Sequence, residues 1–563
     1  MYVKITHSGP RRYVQLVESF RNDEGKVKQR TIATLGRLDQ MDGNLESVIN
    51  GLMKITGREM PCARPDVSFE SSRALGDIWA LQELWNSLGF SALARTFRNT
   101  RHAIDVEALI RLMVFNRLCD PESKLGVLRW LETVAFPGLE AGEVTHDHLL
   151  RTMDALIDRR EAVDSVVASL LCPLIDQDLS VVFYDLTTIR AEGLSDQAKD
   201  VRQFGMAKEG VIARQFMLGV VQTAEGLPLY HEVFEGNASE TQTLLPTLTK
   251  VLERYPTIRR LILIADRGLL SLDNLEALSA IRLGHGAPLE FILAVPGRRY
   301  YEFAELLQPF DEGQCKTATG EVIGETTWNG LRLVMAHDPA RAAEQTQKRR
   351  DQIQALVEQG EGWAGKLDAQ DEGQVKRGRK LSDSGAKARF YRAVAEAHLA
   401  SIIRVDLKSD LFAYSIDEAA QVRAEMMDGK LLLVTNAQDL TIQEVISRYK
   451  SLADIERGFR VLKSELCIGP VYHRLPDRIR AHASLCFISL ILYRIMRMRL
   501  KAAKNPCSPE RALENLRRIQ HHRIRFGGEN PIEGISTITD EQSKVFQALG
   551  IKKPTSSQQL SLL

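Results

Sequence analysis

Asp185 closes the apolar run Val181-Val-Phe-Tyr-Asp, and Asp266 closes a second one, Leu261-Ile-Leu-Ile-Ala-Asp. A carboxylate at the end of a buried strand is costly to desolvate unless it is paired or holds a metal ion. The carboxyl ends of neighbouring strands in open α/β sheets are also where ligands gather. Taken singly, each Asp reads better as a cap on the turn that follows; two of them in one stretch favour a shared site. A third carboxylate, Glu456, falls on a helix predicted from Ile442 to Leu466. Ile455, Phe459, Leu462 and Leu466 give that helix its buried stripe. Tyr449, Glu456 and Lys463 are spaced seven apart, within roughly 20° of one another on a neighbouring face, and Arg460 borders it. The competing reading of Glu456 is an ordinary surface pair with Arg460. Three converging carboxylates repel and raise one another's pKa, and divalent cations reverse that. Hard oxygen ligands suit Mg²⁺. Two such ions, for which Mn²⁺ could substitute, fit an in-line phosphoryl transfer, with Tyr449, Arg460 and Lys463 nearby for phosphates.

The surrounding pattern must position these groups. Residues 1 to about 37 alternate as strands, broken by Ser8-Gly-Pro and Asn22-Asp-Glu-Gly, which predicts a three-stranded meander followed by a helix from about Leu38 to Thr56. From Ser71 to Cys172 the apolar spacing is helical, interrupted at Asp120-Pro-Glu-Ser-Lys. The basic residues there (Arg101, Arg111, Arg117, Lys124, Arg129) fit either a DNA-reading bundle or a packing domain. Strands are predicted at Leu179–Asp185, Gln215–Thr223, Leu229–Phe234, Leu261–Asp266 and Glu290–Val295, with helices at Thr241–Arg254 and Asn274–Ile281: a mixed α/β layer. Between Arg298 and Gly429 come strand-like pieces (Thr326-Thr-Trp, Leu331–Met335) and a charged stretch, Asp338 to Arg389, read as a helix pair turning at Gly360-Glu-Gly. A turn and strand follow at Asp428–Asn436, then helices to about Lys504 and a loose Ser/Gln-rich end from Pro554.

Bulk numbers narrow the class. The chain has 563 residues, 44% hydrophobic and 26% charged, with a formal net charge of +1, an ordinary globular balance for two to four domains. Between Leu440 and Asn530, however, 18 Lys and Arg stand against 8 Asp and Glu, which suits a polyanion-facing segment or simply a solvated helical surface. The seven cysteines, Cys62 through Cys507, are scattered without a CxxC pair, so they read as reduced thiols rather than a zinc site or disulfide frame. No uninterrupted run of about 18 apolar residues and no signal-peptide pattern is evident, so the expected location is the cytoplasm, off the membrane.

At these motifs the chain resembles the DDE transposases of bacterial insertion sequences, in the group with a Tyr-x2-Arg-x3-Glu-x6-Lys signature. Tyr449, Leu452, Glu456 and Lys463 keep its spacing, with Leu452 in place of Arg. Tyr184-Asp-Leu-Thr-Thr and Ile264-Ala-Asp-Arg-Gly resemble the first and second Asp motifs, Glu235-Gly-Asn-Ala-Ser-Glu a turn common before the next helix, and Asp428-Gly-Lys with Thr435-Asn the strand before the Glu helix. The likeness runs from about Leu179 to Met498. It implies a ribonuclease-H-like mixed-sheet catalytic domain interrupted by a β-rich insertion, for which the roughly 190 residues between Asp266 and Glu456 leave room. It also implies that Asp185, Asp266 and Glu456 bind the metals while Tyr449 and Lys463 contact phosphates. Leu452 cannot do so; Arg448, Arg457 or Arg460 would substitute, or the contact is missing. Trp328 is the residue positioned to stack on a flipped base, against the simpler reading of a buried strand tryptophan.

The resulting expectation is a transposase that binds the inverted-repeat ends of a mobile element as a homodimer, cuts them and joins the 3′ ends to target DNA. Arg267 and Arg298 are further phosphate ligands in that reading. The predicted parts are a meander and helix (1–65), a helical DNA-binding domain (66–175), a first catalytic part (176–297), an insertion (298–430), a second catalytic part (431–505) and a helical extension with tail (506–563). Rival readings are a nuclease of the same fold that cuts without joining and a DNA-binding protein that no longer cuts. A glycosidase is disfavoured because aromatics make up only 6%.

Overall fold

A computed structural model describes residues 1–41, 45–56, 67–98, 104–176, 180–193, 200–206, 212–265, 272–303, 305–306, 320–373, 381–452, 458–526 and 530–555. The chain forms two compact units, one of Met1–Ser72 with His522–Gly534 and one of Arg73–His521 with Ile535–Leu563.

In the first unit the predicted meander is present: β1 (Tyr2–Ser8), β2 (Arg11–Arg21) and β3 (Val27–Arg37) pair antiparallel in that order. Gly9 and Gly25, with φ of 58° and 76°, supply the left-handed turn positions. Its core is thin, Val14 and Val17 being buried while Ile32 and Leu35 on β3 are exposed. A helix covers Leu45–Ile55. A second small sheet was not foreseen. β4 (Val67–Ala74), β16 (Gln520–Phe526) and β17 (Ile532–Ile535) assemble in the order β17-β16-β4, and Glu70 pairs with both Arg523 and Arg525. The expected helical extension therefore carries strands; Gln520-His-His-Arg-Ile-Arg-Phe has too few apolar residues to announce one.

The second unit opens with the predicted helices, among them Gly76–Leu88, Val106–Cys119, Lys124–Leu131, His146–Asp158 and Arg160–Leu171. Side chains at their starts accept backbone N–H bonds: Asp105 from Ala108, Ser123 from Gly126, Thr145 from His148. Val106–Cys119 and His146–Asp158 pack against the helix Pro476–Ala502. That helix is long and apolar enough to cross a membrane, but 94% of its most apolar window is buried inside the protein, so it serves as a core helix. One continuous apolar cluster holds Ile78, Phe115, Leu149, Ile491 and, from the sheet, Val182 and Leu263. The helices at 73–175 and the α/β layer thus share a core. Arg111, one of the cations that could have faced DNA, is instead buried against Glu107, Gln82 and the ring of Phe136.

The sheet has nine strands among the described residues. β5 (Ser180–Arg190), β6 (Gln203–Met206), β7 (Ile212–Thr223), β8 (Pro228–Glu235), β9 (Leu261–Ala265), β10 (Glu290–Ala294), β11 (Val322–Trp328), β12 (Leu331–His337) and β15 (Lys430–Thr435) lie in the order β11-β12-β15-β10-β9-β5-β7-β6, with β8 also on β7. β5, β9 and β10 run parallel; β7, β8, β15 and β12 are antiparallel to their neighbours. Both faces of the middle are covered, so β9 is wholly buried and reads as an unbroken apolar run. Its residues divide by parity: Leu261, Leu263 and Ala265 join the large cluster, Ile262 and Ile264 a second one with Phe183, Leu433, Val445 and Leu452.

The segment 298–430 corrects the expectation of a β-rich insertion. The hairpin β11–β12, turning at Asn329-Gly330 with φ of 48° and 75°, adds to the main sheet. Among the described residues the rest is chiefly helical, Pro339–Asp371, Asp383–Glu396 and Glu418–Met427, with the short pair β13 (Ile403–Val405) and β14 (Tyr414–Ile416). It has its own core of Ile353, Leu356, Phe390, Val394 and Ile402. The predicted turn at Gly360-Glu-Gly does not occur, because the helix runs straight through it. Gly360 is small for a packing reason: a Cβ there would meet the Tyr414 ring at 2.7 Å.

Candidate functional site

Asp185 sits in the middle of β5 rather than at its end, paired with Val220 of β7. It is half-buried between the buried Tyr184 and Leu186. Its Oδ1 accepts the N–H of Leu186 at 2.7 Å. Alternation along a strand puts Asp185 on the face of Phe183, the face with Leu452 in its cluster. Tyr184 points the other way and donates from its hydroxyl to Thr243 at 2.7 Å. Parallel pairing sets Tyr184 opposite Ala265, the last described residue of β9. Asp266 and Arg267 lie outside the described residues, and so does Glu456.

The chain on both sides of Glu456 is described. The helix Ile442–Lys450 is opened by a capping box in which Thr441 and Glu444 satisfy each other's backbone N–H. Val445, Ile446 and Leu452 are buried in the cluster that contains Phe183. Past the break, Gly458 abuts β7: a Cβ there would come within 2.9 Å of Gln222 Oε1 and 2.9 Å of Arg494 Nη2. Gln222 is the β7 partner of Phe183. Phe459 is buried, and the backbone from Val461 to Glu465 is a π-helix.

A single α-helix was expected from Ile442 to Leu466, and the π turn at its end is wider than an α turn. Tyr449 and Lys463 line different cavities. Tyr449 borders one of about 590 Å³ with Lys430, Arg341, Asp338 and Lys450, and Lys450 there pairs with Glu321 at 2.6 Å. Lys463 borders one of about 180 Å³ with Thr188, Arg190 and Gln215, just beyond Asp185 along β5. Arg460 is exposed between them in sequence. Arg298 lies in the short helix Gly297–Phe303. Trp328, half-buried at the end of β11, packs its ring 5.1 Å from that of Phe303.

Arg494 was not anticipated. It is buried near Gly226 as well as Gly458. The signal was available, since a guanidinium within Leu490-Ile-Leu-Tyr-Arg-Ile-Met has no reason to be there unless it meets polar groups. Among the described residues no three His, Cys, Asp or Glu side chains cluster closely enough to hold a metal ion.

A comparison with curated proteins finds no match. A solved structure, the cryo-EM piggyBac transposase synaptic complex with hairpin DNA, is similar at 8% identity and a TM-score of 0.39 over 78% of this chain and 79% of that one. Two family models match: IS1634 family transposase, N-terminal domain, over residues 2–65, and transposase DDE domain over 176–492. As the second spans more than half of the 563 residues, the chain belongs to the DDE transposases of insertion sequences.

Proposed function

We propose that this transposase binds the ends of its mobile element, cuts the DNA there and transfers the freed 3′ ends to target DNA, with Asp185, Asp266 and Glu456 as its metal ligands. The observation that carries the reading is register. β5 and β9 are adjacent and parallel with Tyr184 opposite Ala265, and in sequence each of these two residues is followed at once by an aspartate. The chain flanking Glu456 supports it, since Leu452 shares a cluster with Phe183 while Gly458 abuts Gln222, the partner of Phe183. The order β8-β7-β5-β9-β10, in which β7 alone runs antiparallel to the other four, supports a ribonuclease-H-like core.

The donor set fits Mg²⁺: carboxylates are the hard ligands it takes, and Asp185 is half-buried rather than sealed in the core. Bound in a pair, such ions would activate the attacking oxygen and stabilise the leaving one. The chain's own part is to hold the DNA. Lys463 beside Thr188 and the exposed Arg460 would pair with backbone phosphates near Asp185. Tyr449, Arg267, Arg298 and Trp328 belong to the same proposed DNA path, and two copies would bring two ends together. The test is Mg²⁺-dependent cleavage of element-end DNA by the wild type and by Asp185→Asn. The variant is expected to lose more than roughly a hundredfold in rate, since even outer partners of a metal site are worth about 10–100-fold. Wild-type rates in a folded Asp185→Asn would end the proposal.

A further inference from the structure

A second cleft, of about 580 Å³, opens where the loop after the π-helix passes the helical bundle. Four cations border it: Arg117, Lys124, Arg474 and Arg478. Among the described residues only Arg478 is neutralised, by Asp154 at 2.7 and 2.8 Å. Arg117 is buried and held by carbonyls alone, donating to Glu122 O at 2.6 Å and Cys467 O at 3.3 Å. Lys124 is 6% exposed. Among the described residues its amine has neither a hydrogen bond nor an ion pair, although it borders the cleft. Burial, then the nearby charge of Arg117, lowers the Lys124 pKa to about 7.

A largely buried lysine whose amine reaches only the cleft, beside a second cation without a carboxylate partner among the described residues, favours an anion between them. The backbone is arranged for the same guest. Lys124, His146 and Arg478 each stand in the first turn of a helix, and all three border the cleft; helix starts carry partial positive charge and free N–H groups. His482 also borders it, its Nε2 on Ile468 O at 2.9 Å and its Nδ1 without a partner. Among the described lining residues the one carboxylate is Glu122, whose side chain folds back onto Gly126.

We propose that this cleft seats one backbone phosphate of the bound DNA, with Lys124 and Arg117 as its ligands; the inference rests on the transposase reading above. Two features point to DNA rather than a free anion. Gly469 and Pro470 border both this cleft and the small cavity of Lys463 and Thr188, so one short stretch of chain serves both. Val471 bridges to Ala191, roughly 20 Å along the strand direction from Asp185. Tyr472, on the lining and 72% exposed, offers a ring to a sugar or base.

The experiment measures binding of the full chain to a labelled DNA duplex in EDTA across a series of KCl concentrations, for wild type, Lys124→Met and Lys124→Arg. Thermal melts in inorganic phosphate against chloride at matched ionic strength accompany it. Lys124→Met should reduce the slope of log K against log salt by about 1, abolish stabilisation by phosphate, and melt no lower than wild type without DNA. Lys124→Arg should keep most of the slope. An unchanged slope in a folded Lys124→Met overturns the proposal. Phosphate stabilisation that depends on Lys124 while the slope stays the same also overturns it, by assigning the cleft to a small anion. Failure of the catalytic reading looks different: DNA binds with a Lys124-dependent slope, yet no Mg²⁺-dependent cleavage occurs.

Discussion

At the scale of single residues, Leu452 shows how a departure from a signature can be structural. It stands where the resemblance has Arg, and it is buried with Phe183, Ile264 and Val445. Restoring the signature with Leu452→Arg is therefore expected to fail. A guanidinium forced into this cluster without a partner costs roughly 3 kcal/mol, read as a lower midpoint in urea, with no gain in DNA affinity. A Leu452→Arg protein of wild-type stability that binds DNA more tightly would show that the position faces phosphate after all. Asp185 makes the converse point, being polar and half-buried where both sequence neighbours are buried, which a packing role does not require.

Among the elements, the helix Pro339–Asp371 is the instructive one. Gly360 and Gly362 suggested a turn on local propensity, yet the helix continues because Gly360 allows close approach of the Tyr414 ring, itself 4.7 Å from Phe390. Gly360→Ala would gain helix propensity by about 1 kcal/mol in an open helix. Here overpacking of about 1–3 kcal/mol opposes it, so the net expectation is destabilisation, measured as a lower melting temperature. Gly362, with nothing near its Cβ, is the control and should gain stability as Ala. The π-helix Val461–Glu465 belongs to this scale too. Spacing alone gave no hint of it, because the same apolar pattern suits an α or a π turn.

Across the whole molecule, the shared core of helical bundle and sheet sets how the protein answers acid. His231 is buried between Ser484, 3.1 Å from its Nε2, and the stacked ring of Phe487. Burial first, then Arg160 and Arg254, holds its pKa well below the usual value. His482 is likewise lowered, by burial and then Arg117. As pH falls below about 6.5 the unfolded chain takes up protons on these two rings that the folded chain refuses, so stability is lost with falling pH and is unaffected above it. Between pH 8 and pH 5.5 the two together should cost on the order of 2 kcal/mol. Urea unfolding at both values checks this, and His231→Gln should flatten the dependence; a pH-independent midpoint would contradict it.

The sequence by itself determined the local elements and the chemistry on offer. Period-two and period-3.6 apolar patterns located the meander, the bundle, β7, β9 and β10 within a few residues, and the start though not the end of β5, because a strand or helix face is written in neighbouring side chains. The apolar runs ending in Asp185 and Asp266, and Glu456 on its helix, were legible for the same reason. Only the tertiary structure decided what depends on distant pairs. It joined the bundle and sheet in one core, laid β11, β12 and β15 onto β10, and returned β16 to β4. It also buried Lys124 and Arg117 on one cleft. These outcomes follow from which surfaces bury each other across hundreds of residues, a competition that no local window of sequence contains.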